Sequence, residues 1–248
     1  LFMNIKRSIL KFWVIRFIYV SIRYFFLKRL LGIKYHYDPS QKIANLKVDH
    51  KNETTIQHNT NFLKHSIFKR YKSFLPEFLG IRCNRLVNPL IELPFINKRI
   101  NKLKILSIGP RTEGEMYNLF IKGFEWENIY AIDLFSYSKK IKVGDVHNLG
   151  YEENFFDITL SSYTLTYSND QRLFVNNLIK CTKNGGIIAI ACGNTLNNQT
   201  IKQDYNNYDE FLKLFSEYID KIYFRNYSDD YLENENKHDY LLIFKIKK

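Results

Sequence analysis

The stretch that decides the fold is KILSIGPRTEGEMYNLF, Lys104 to Phe120. Ile105 to Ile108 is a short run of apolar and small residues, which reads as a buried strand. Gly109 follows where the chain must turn tightly out of a sheet. A loop built to cradle phosphates would continue with two further glycines. Pro110, Arg111, Thr112 and Glu113 stand there instead. The strand and turn predict a nucleotide-type fold, while the loop argues for a different ligand.

Outward from this stretch, short apolar runs alternate with helical segments from Lys102 to the C-terminus. The runs LKILSIG, NIYAIDL, FFDITLSS and GGIIAIACG are separated by enough chain for crossover helices, which predicts a parallel sheet. DKIYFRNY and DYLLIFKIK are joined only by the polar SDDYLENENKH, a hairpin spacing that predicts a final antiparallel strand. KNGG, Lys183 to Gly186, reads as the turn feeding the fifth strand. The expected class is α/β, with a Rossmann-like domain over residues 102–248.

The 248 residues accommodate one such domain plus accessory segments, and 45% apolar residues suffice for a core. Three cysteines (Cys83, Cys181 and Cys192) have no metal-like spacing and predict buried thiols in a reducing, cytoplasmic setting. The six histidines form no metal motif, so no metal is expected.

The net charge of +12 is lopsided. Residues 1–100 hold 19 Lys/Arg against 5 Asp/Glu, whereas residues 101–248 hold 18 against 20. Such asymmetry predicts a surface that meets anions. Asn4 to Lys34 carries eight basic residues and no acid among aromatic and aliphatic ones. Lys11, Arg16 and Arg23 interrupt it, so no apolar run reaches membrane-spanning length. Residues 1–35 are therefore expected to form a helix. It either lies on an anionic membrane surface with snorkelling cations or docks on protein with its cations in solvent, and nucleic acid is a third partner class. Residues 36–101 read as a connecting and capping region, helical over Asn61 to Phe74 and broken at Pro76, Pro89 and Pro94.

The chemistry gathers at the strand ends. Asp133 closes the second strand 24 residues after Gly109, where an acid can take both hydroxyls of a ribose. Nicotinamide enzymes and S-adenosylmethionine enzymes share that pair. Charge separates them: Glu113 and Glu115 occupy the helix start where a pyrophosphate would need free N–H groups. S-adenosylmethionine carries no phosphate but an ammonium, a carboxylate and a sulfonium. In KVGDVHNL, Lys142 to Leu149, Asp145 follows a short strand where it can accept from an adenine amino group, with Val146 against the ring.

The set ILSIGPRTEGE, AIDLFSYS, VGDVHNL, FFDITLSSYTLTYSND and NGGIIAIACG resembles a class I S-adenosylmethionine-dependent methyltransferase. More narrowly, it is similar to a GPRTE-loop branch associated with surface-glycan biosynthesis. The resemblance spans roughly residues 102–195. It implies a three-layer αβα sandwich whose mostly parallel seven-stranded sheet has an antiparallel last strand. It also implies S-adenosyl-L-methionine as cofactor, held by Gly109, Pro110, Arg111 and Glu113, by Asp133 and Leu134, by Asp145 and Val146, and by Ser161. The chain departs from the common pattern at Ser107, Arg111 and Glu113, which replace an acid and two glycines. Arg111 or Glu113 is expected to hold the amino-acid end of the cofactor.

Methyl transfer needs alignment and exclusion of water, and a hydroxyl acceptor also needs a base. His147, Tyr163 and Tyr167 are the candidates to line the acceptor pocket or relay a proton. A small-molecule, glycan or lipid-linked acceptor is expected. The alternatives are an RNA methyltransferase and a non-catalytic binding or scaffold protein, while the loop acids and terminal hairpin argue against a nicotinamide oxidoreductase.

Overall fold

The computed structural model describes residues 13–29, 83–110, 113–134, 140–195, 205, 208–226 and 237–248. The expected helix over Asn61 to Phe74 lies outside them, as does the connection from 36 to 82.

Seven strands form one sheet: β1 (Ile105–Ile108), β2 (Ile129–Asp133), β3 (Ile141–Val143), β4 (Phe156–Ser162), β5 (Thr182–Thr195), β6 (Ile219–Asn226) and β7 (Lys237–Ile246). Their spatial order is β3-β2-β1-β4-β5-β7-β6. The first five are parallel, and β7 runs antiparallel to both β5 and β6. The last strand of the chain therefore inserts between β5 and β6 and leaves β6 at the edge. Burial follows from this placement. β1 and the centre of β7, Tyr240 to Phe244, are buried on both faces, whereas edge strand β6 is half-exposed.

Lys183 to Gly186 lies inside the span of β5, as a local irregularity. Phe156 pairs with Thr182 and Ile158 with Ile187, so the four residues loop out opposite Asp157. Gly185, at φ +74°, makes that bulge feasible.

The helices are α1 (Trp13–Arg29), α2 (Asn84–Ile91), α3 (Pro94–Asn97), α4 (Glu113–Ile121), α5 (Gln171–Cys181) and α6 (Tyr208–Lys213). Two apolar layers flank the sheet. One joins Ile105, Ile158 and Ala189 to Leu86, Met116 and Leu119 of α2 and α4; the other joins Leu106, Ile188 and Phe244 to Phe174, Leu178 and Phe211 of α5 and α6. Pro89 sits inside α2 without ending it.

Helix α1 packs on α4. The docked-helix reading put its cations in solvent, but Arg16 is only 2% exposed. Its Nη1 donates to the carbonyls of Phe120 and Phe124, each at 2.7 Å, and its Nη2 donates to Glu125 Oε1 at 2.8 Å. A guanidinium tolerates burial when its forked donors are satisfied, and here it caps the C-terminal end of α4 with favourable charge. No helix among the described residues is long and apolar enough to cross a membrane.

Candidate active site

The strand order reverses at β1, which pairs with both β2 and β4. In open α/β sheets the crevice beyond the carboxyl ends of the strands at such a reversal is where ligands bind. Backbone bonds shape its floor: Gly109 N–H donates to Ile132 C=O at 2.8 Å, and Gly144 N–H to Asp133 C=O at 2.9 Å. Gly109 has φ +67°, and a Cβ there would lie 2.3 Å from Thr164 Oγ1. That hydroxyl donates to Ile108 C=O at 3.0 Å. Glycine thus lets the loop after β4 close directly onto the end of β1.

Gly109, Asp133, Leu134, Asp145, Val146, His147, Tyr163 and Tyr167 all line this one cleft. Arg111 lies outside the described residues. Pro110 is buried beside the cleft without lining it, and Glu113 turns its Oε2 to accept the Tyr117 hydroxyl at 2.5 Å. Glu115, two residues on, lines the cleft instead. Ser161 is fully buried within the sheet, and its neighbour Ser162 forms the wall. Alternate residues of a strand face opposite ways, so a shift of one residue decides which serine meets a ligand. The Ser162 hydroxyl oxygen is shielded from solvent and has no partner among the described residues. An orphaned buried hydroxyl at a cleft wall is what a polar ligand would satisfy.

Glu115, Asp133 and Asp145 give the described lining three carboxylates, with no Lys or Arg. Asp145 caps the short turn Val146–Asn148, accepting from His147 N–H at 2.9 Å and facing His147 Nδ1 at 2.6 Å. Burial pushes its pKa up, but the hydrogen bonds from the His147 ring and amide and the nearby imidazole prevail and hold it below the usual carboxylate value. It is therefore ionised at neutral pH.

Tyr163 leaves β4 in the left-handed region at φ +63°. Non-glycine residues rarely sit there, and such outliers cluster at functional sites. Its hydroxyl accepts from Arg85 Nη1 at 2.9 Å and donates to Asp239 Oδ2 at 3.2 Å, and Arg85 and Asp239 form an ion pair. The Tyr163 hydrogen bond, and after it the Asp239 carboxylate, raise the Arg85 pKa. Gly193 makes room for the ring: a Cβ there would lie 3.2 Å from both Tyr163 Cδ1 and Asp239 Oδ1. This trio joins α2, the end of β4 and the start of β7, and sequence spacing gave no hint of it. Among the described residues no group of His, Cys, Asp and Glu could hold a metal ion.

Residues 109–190 match the model of the methyltransferase domain family. No curated protein matches the chain. Among solved structures, a Burkholderia thailandensis 1,6-didemethyltoxoflavin-N1-methyltransferase, with its substrate and S-adenosylhomocysteine bound, superposes with TM-score 0.52. It shares 11% identity over 81% of this chain and 92% of that one. A putative sarcosine dimethylglycine methyltransferase from Galdieria sulphuraria gives 0.51 at 13% identity, covering 65% and 85%. The [4+2]-cyclase SpnF gives 0.50 at 12%, covering 66% and 80%. Likeness at this level establishes the Rossmann-like fold and leaves the reaction to be argued from the site.

Proposed function

We propose that the protein binds S-adenosyl-L-methionine at the carboxyl edge of β1, β2 and β3 and transfers its methyl group to an acceptor. The single observation that carries this reading is the charge of the cleft. Three carboxylates (Glu115, Asp133 and Asp145) face a site whose described lining holds no Lys or Arg. A pyrophosphate would be repelled there, whereas a ligand with a sulfonium and an ammonium is attracted. The methyltransferase-domain match over residues 109–190 supports the same reading.

Asp133, at the end of β2, takes the ribose hydroxyls, and Asp145 takes the exocyclic amino group of the base. Gly109 lets the loop approach closely, while Glu115 faces the ammonium end. Bound there, the cofactor supplies a methyl group activated by a positive sulfur. The chain's part is to orient the acceptor, exclude water and, for a hydroxyl acceptor, take its proton. Tyr163 and Tyr167 are the residues we place on the acceptor side.

We assign the acceptor to the small-molecule, glycan or lipid-linked class, met at an anionic membrane face. Helix α1 supports this placement. With Arg16 and Val20 turned inward, Val14, Ile18 and Ile22 form a stripe 46%, 50% and 52% exposed, within an acid-free basic segment.

A thermal-shift panel tests the cofactor. S-adenosylmethionine and S-adenosylhomocysteine at 100 times their Kd should each add about 2.7 kcal/mol of stability, and NAD none. Stabilisation by NAD alone would reverse the assignment.

A further inference from the structure

Asp145 and His147 are tied into a chain of polar contacts that reaches Ser168, in the loop after β4. Asp145 Oδ1 is occupied by the His147 amide and by Nδ1 of the His147 ring, at 2.9 and 2.6 Å. The other ring nitrogen, Nε2, lies 2.7 Å from Ser168 Oγ. Ser168 is itself 5% exposed, and its Oγ accepts from Asp170 N–H at 3.2 Å. An ionised carboxylate only accepts, so the Nδ1 hydrogen belongs to Asp145, and in that tautomer Nε2 accepts the serine hydrogen. Helix α5 steadies the assembly: Asn177 Nδ2 donates to Val146 C=O at 3.0 Å, and Phe174 sets its ring edge-on to His147 at 6.3 Å. Both ring nitrogens thus have partners inside the protein, and the structure gives Asp145 Oδ2 none among the described residues.

We propose that His147, locked by Ser168, is a positioning residue that fixes the Asp145 carboxylate and so makes the site select a 6-aminopurine over a 6-oxopurine. The inference rests on the S-adenosylmethionine reading above. A carboxylate only accepts hydrogen bonds. Held in one orientation, it pairs with a 6-amino group and opposes a 6-oxo group, acceptor against acceptor. Free to swing, it could turn toward the N1–H that a 6-oxopurine offers instead. Selectivity therefore depends on the carboxylate being unable to turn, which is what the ring nitrogen and the serine enforce. The same constraint removes His147 from the acceptor side, because its second nitrogen is spent on Ser168.

The test compares binding of S-adenosylhomocysteine and S-inosylhomocysteine by calorimetry, using the full chain. The wild type is expected to prefer the adenine ligand by about 100-fold or more, as for a buried charged hydrogen bond replaced by a repulsion. His147→Ala should narrow that ratio to within about tenfold, Ser168→Ala should do so in part, and His147→Asn, whose amide can replace Nδ1–H, should restore most of it. Nitrogen NMR of the ligand-free protein should show His147 protonated at Nδ1 and a shifted ring signal in Ser168→Ala. A His147→Ala protein that binds S-adenosylhomocysteine with the wild-type ratio intact would overturn this inference alone. A wild-type chain that binds neither ligand would overturn the cofactor reading and this inference with it.

Discussion

Replacing Gly109 with alanine probes the junction on which the cleft is built. The residue sits at φ +67°, and the added Cβ would meet Thr164 Oγ1 at 2.3 Å and Cγ2 at 2.9 Å. Holding an alanine in the left-handed region costs about 1–2 kcal/mol. Thr164 must also move, which breaks its 3.0 Å bond to Ile108 C=O and costs about 1 kcal/mol more. The expected loss is therefore about 2–3 kcal/mol, or roughly 5–10 °C in Tm for a chain of this size. Urea denaturation of Gly109→Ala, Thr164→Ala and the double variant measures it. The Thr164 bond is already lost in Gly109→Ala, so the double variant should be less destabilised than the sum of the singles by about 1 kcal/mol. A cost for Gly109→Ala below about 0.5 kcal/mol, or strict additivity in the cycle, would refute the close-approach argument.

Cys181 is buried and its thiol is pushed up to about 11, mainly by loss of hydration; burial likewise raises Cys83 well above its usual value. Only the thiolate reacts with disulfide reagents, so at pH 8 the folded protein should label at least about 100-fold more slowly than in 6 M guanidinium, with the rate rising as pH increases. Fast labelling of either residue in the folded state would contradict their burial. On α1, Ile18→Asp with Ile22→Asp should leave the melting temperature unchanged, because both side chains are about half exposed. The same pair should weaken sedimentation with phosphatidylglycerol vesicles by at least about tenfold, since burying each isoleucine contributes about 1.5–3 kcal/mol. Undiminished sedimentation would remove the stripe as a membrane contact.

The sheet was legible because its signals are local. Ile105 to Ile108 reads as a strand from four consecutive residues, and Gly109 marks the turn that follows. The insertion of β7 between β5 and β6 was not legible, because the hairpin spacing fixes an antiparallel neighbour and not which side of it remains open. Asp133, Asp145 and Gly109 could be found as strand-end residues, and the structure brings them to one cleft. Ser161 and Ser162 differ by a single step of the pleat, and composition cannot set that parity. Glu113 and Glu115 sit in the same first turn of α4, and only the Tyr117 hydroxyl shows which one is turned away. Contacts across long sequence distances left no trace: Arg85 reaches Asp239 over 154 residues, and Arg16 reaches Glu125 over 109. The expectation of solvated cations on α1 failed at Arg16 because a guanidinium can trade water for two carbonyls and a carboxylate.

The central claim is a cofactor site organised around Asp133, and calorimetric titration of S-adenosylhomocysteine into wild type and Asp133→Ala tests it most directly. Asp133 is 8% exposed at the end of β2, where two hydrogen bonds from ribose hydroxyls to a charged oxygen pair would each contribute about 1.5–3 kcal/mol. The account predicts micromolar binding by the wild type and a loss of at least about 100-fold in the variant. Equal affinity in the two proteins, or no binding by the wild type, would contradict it.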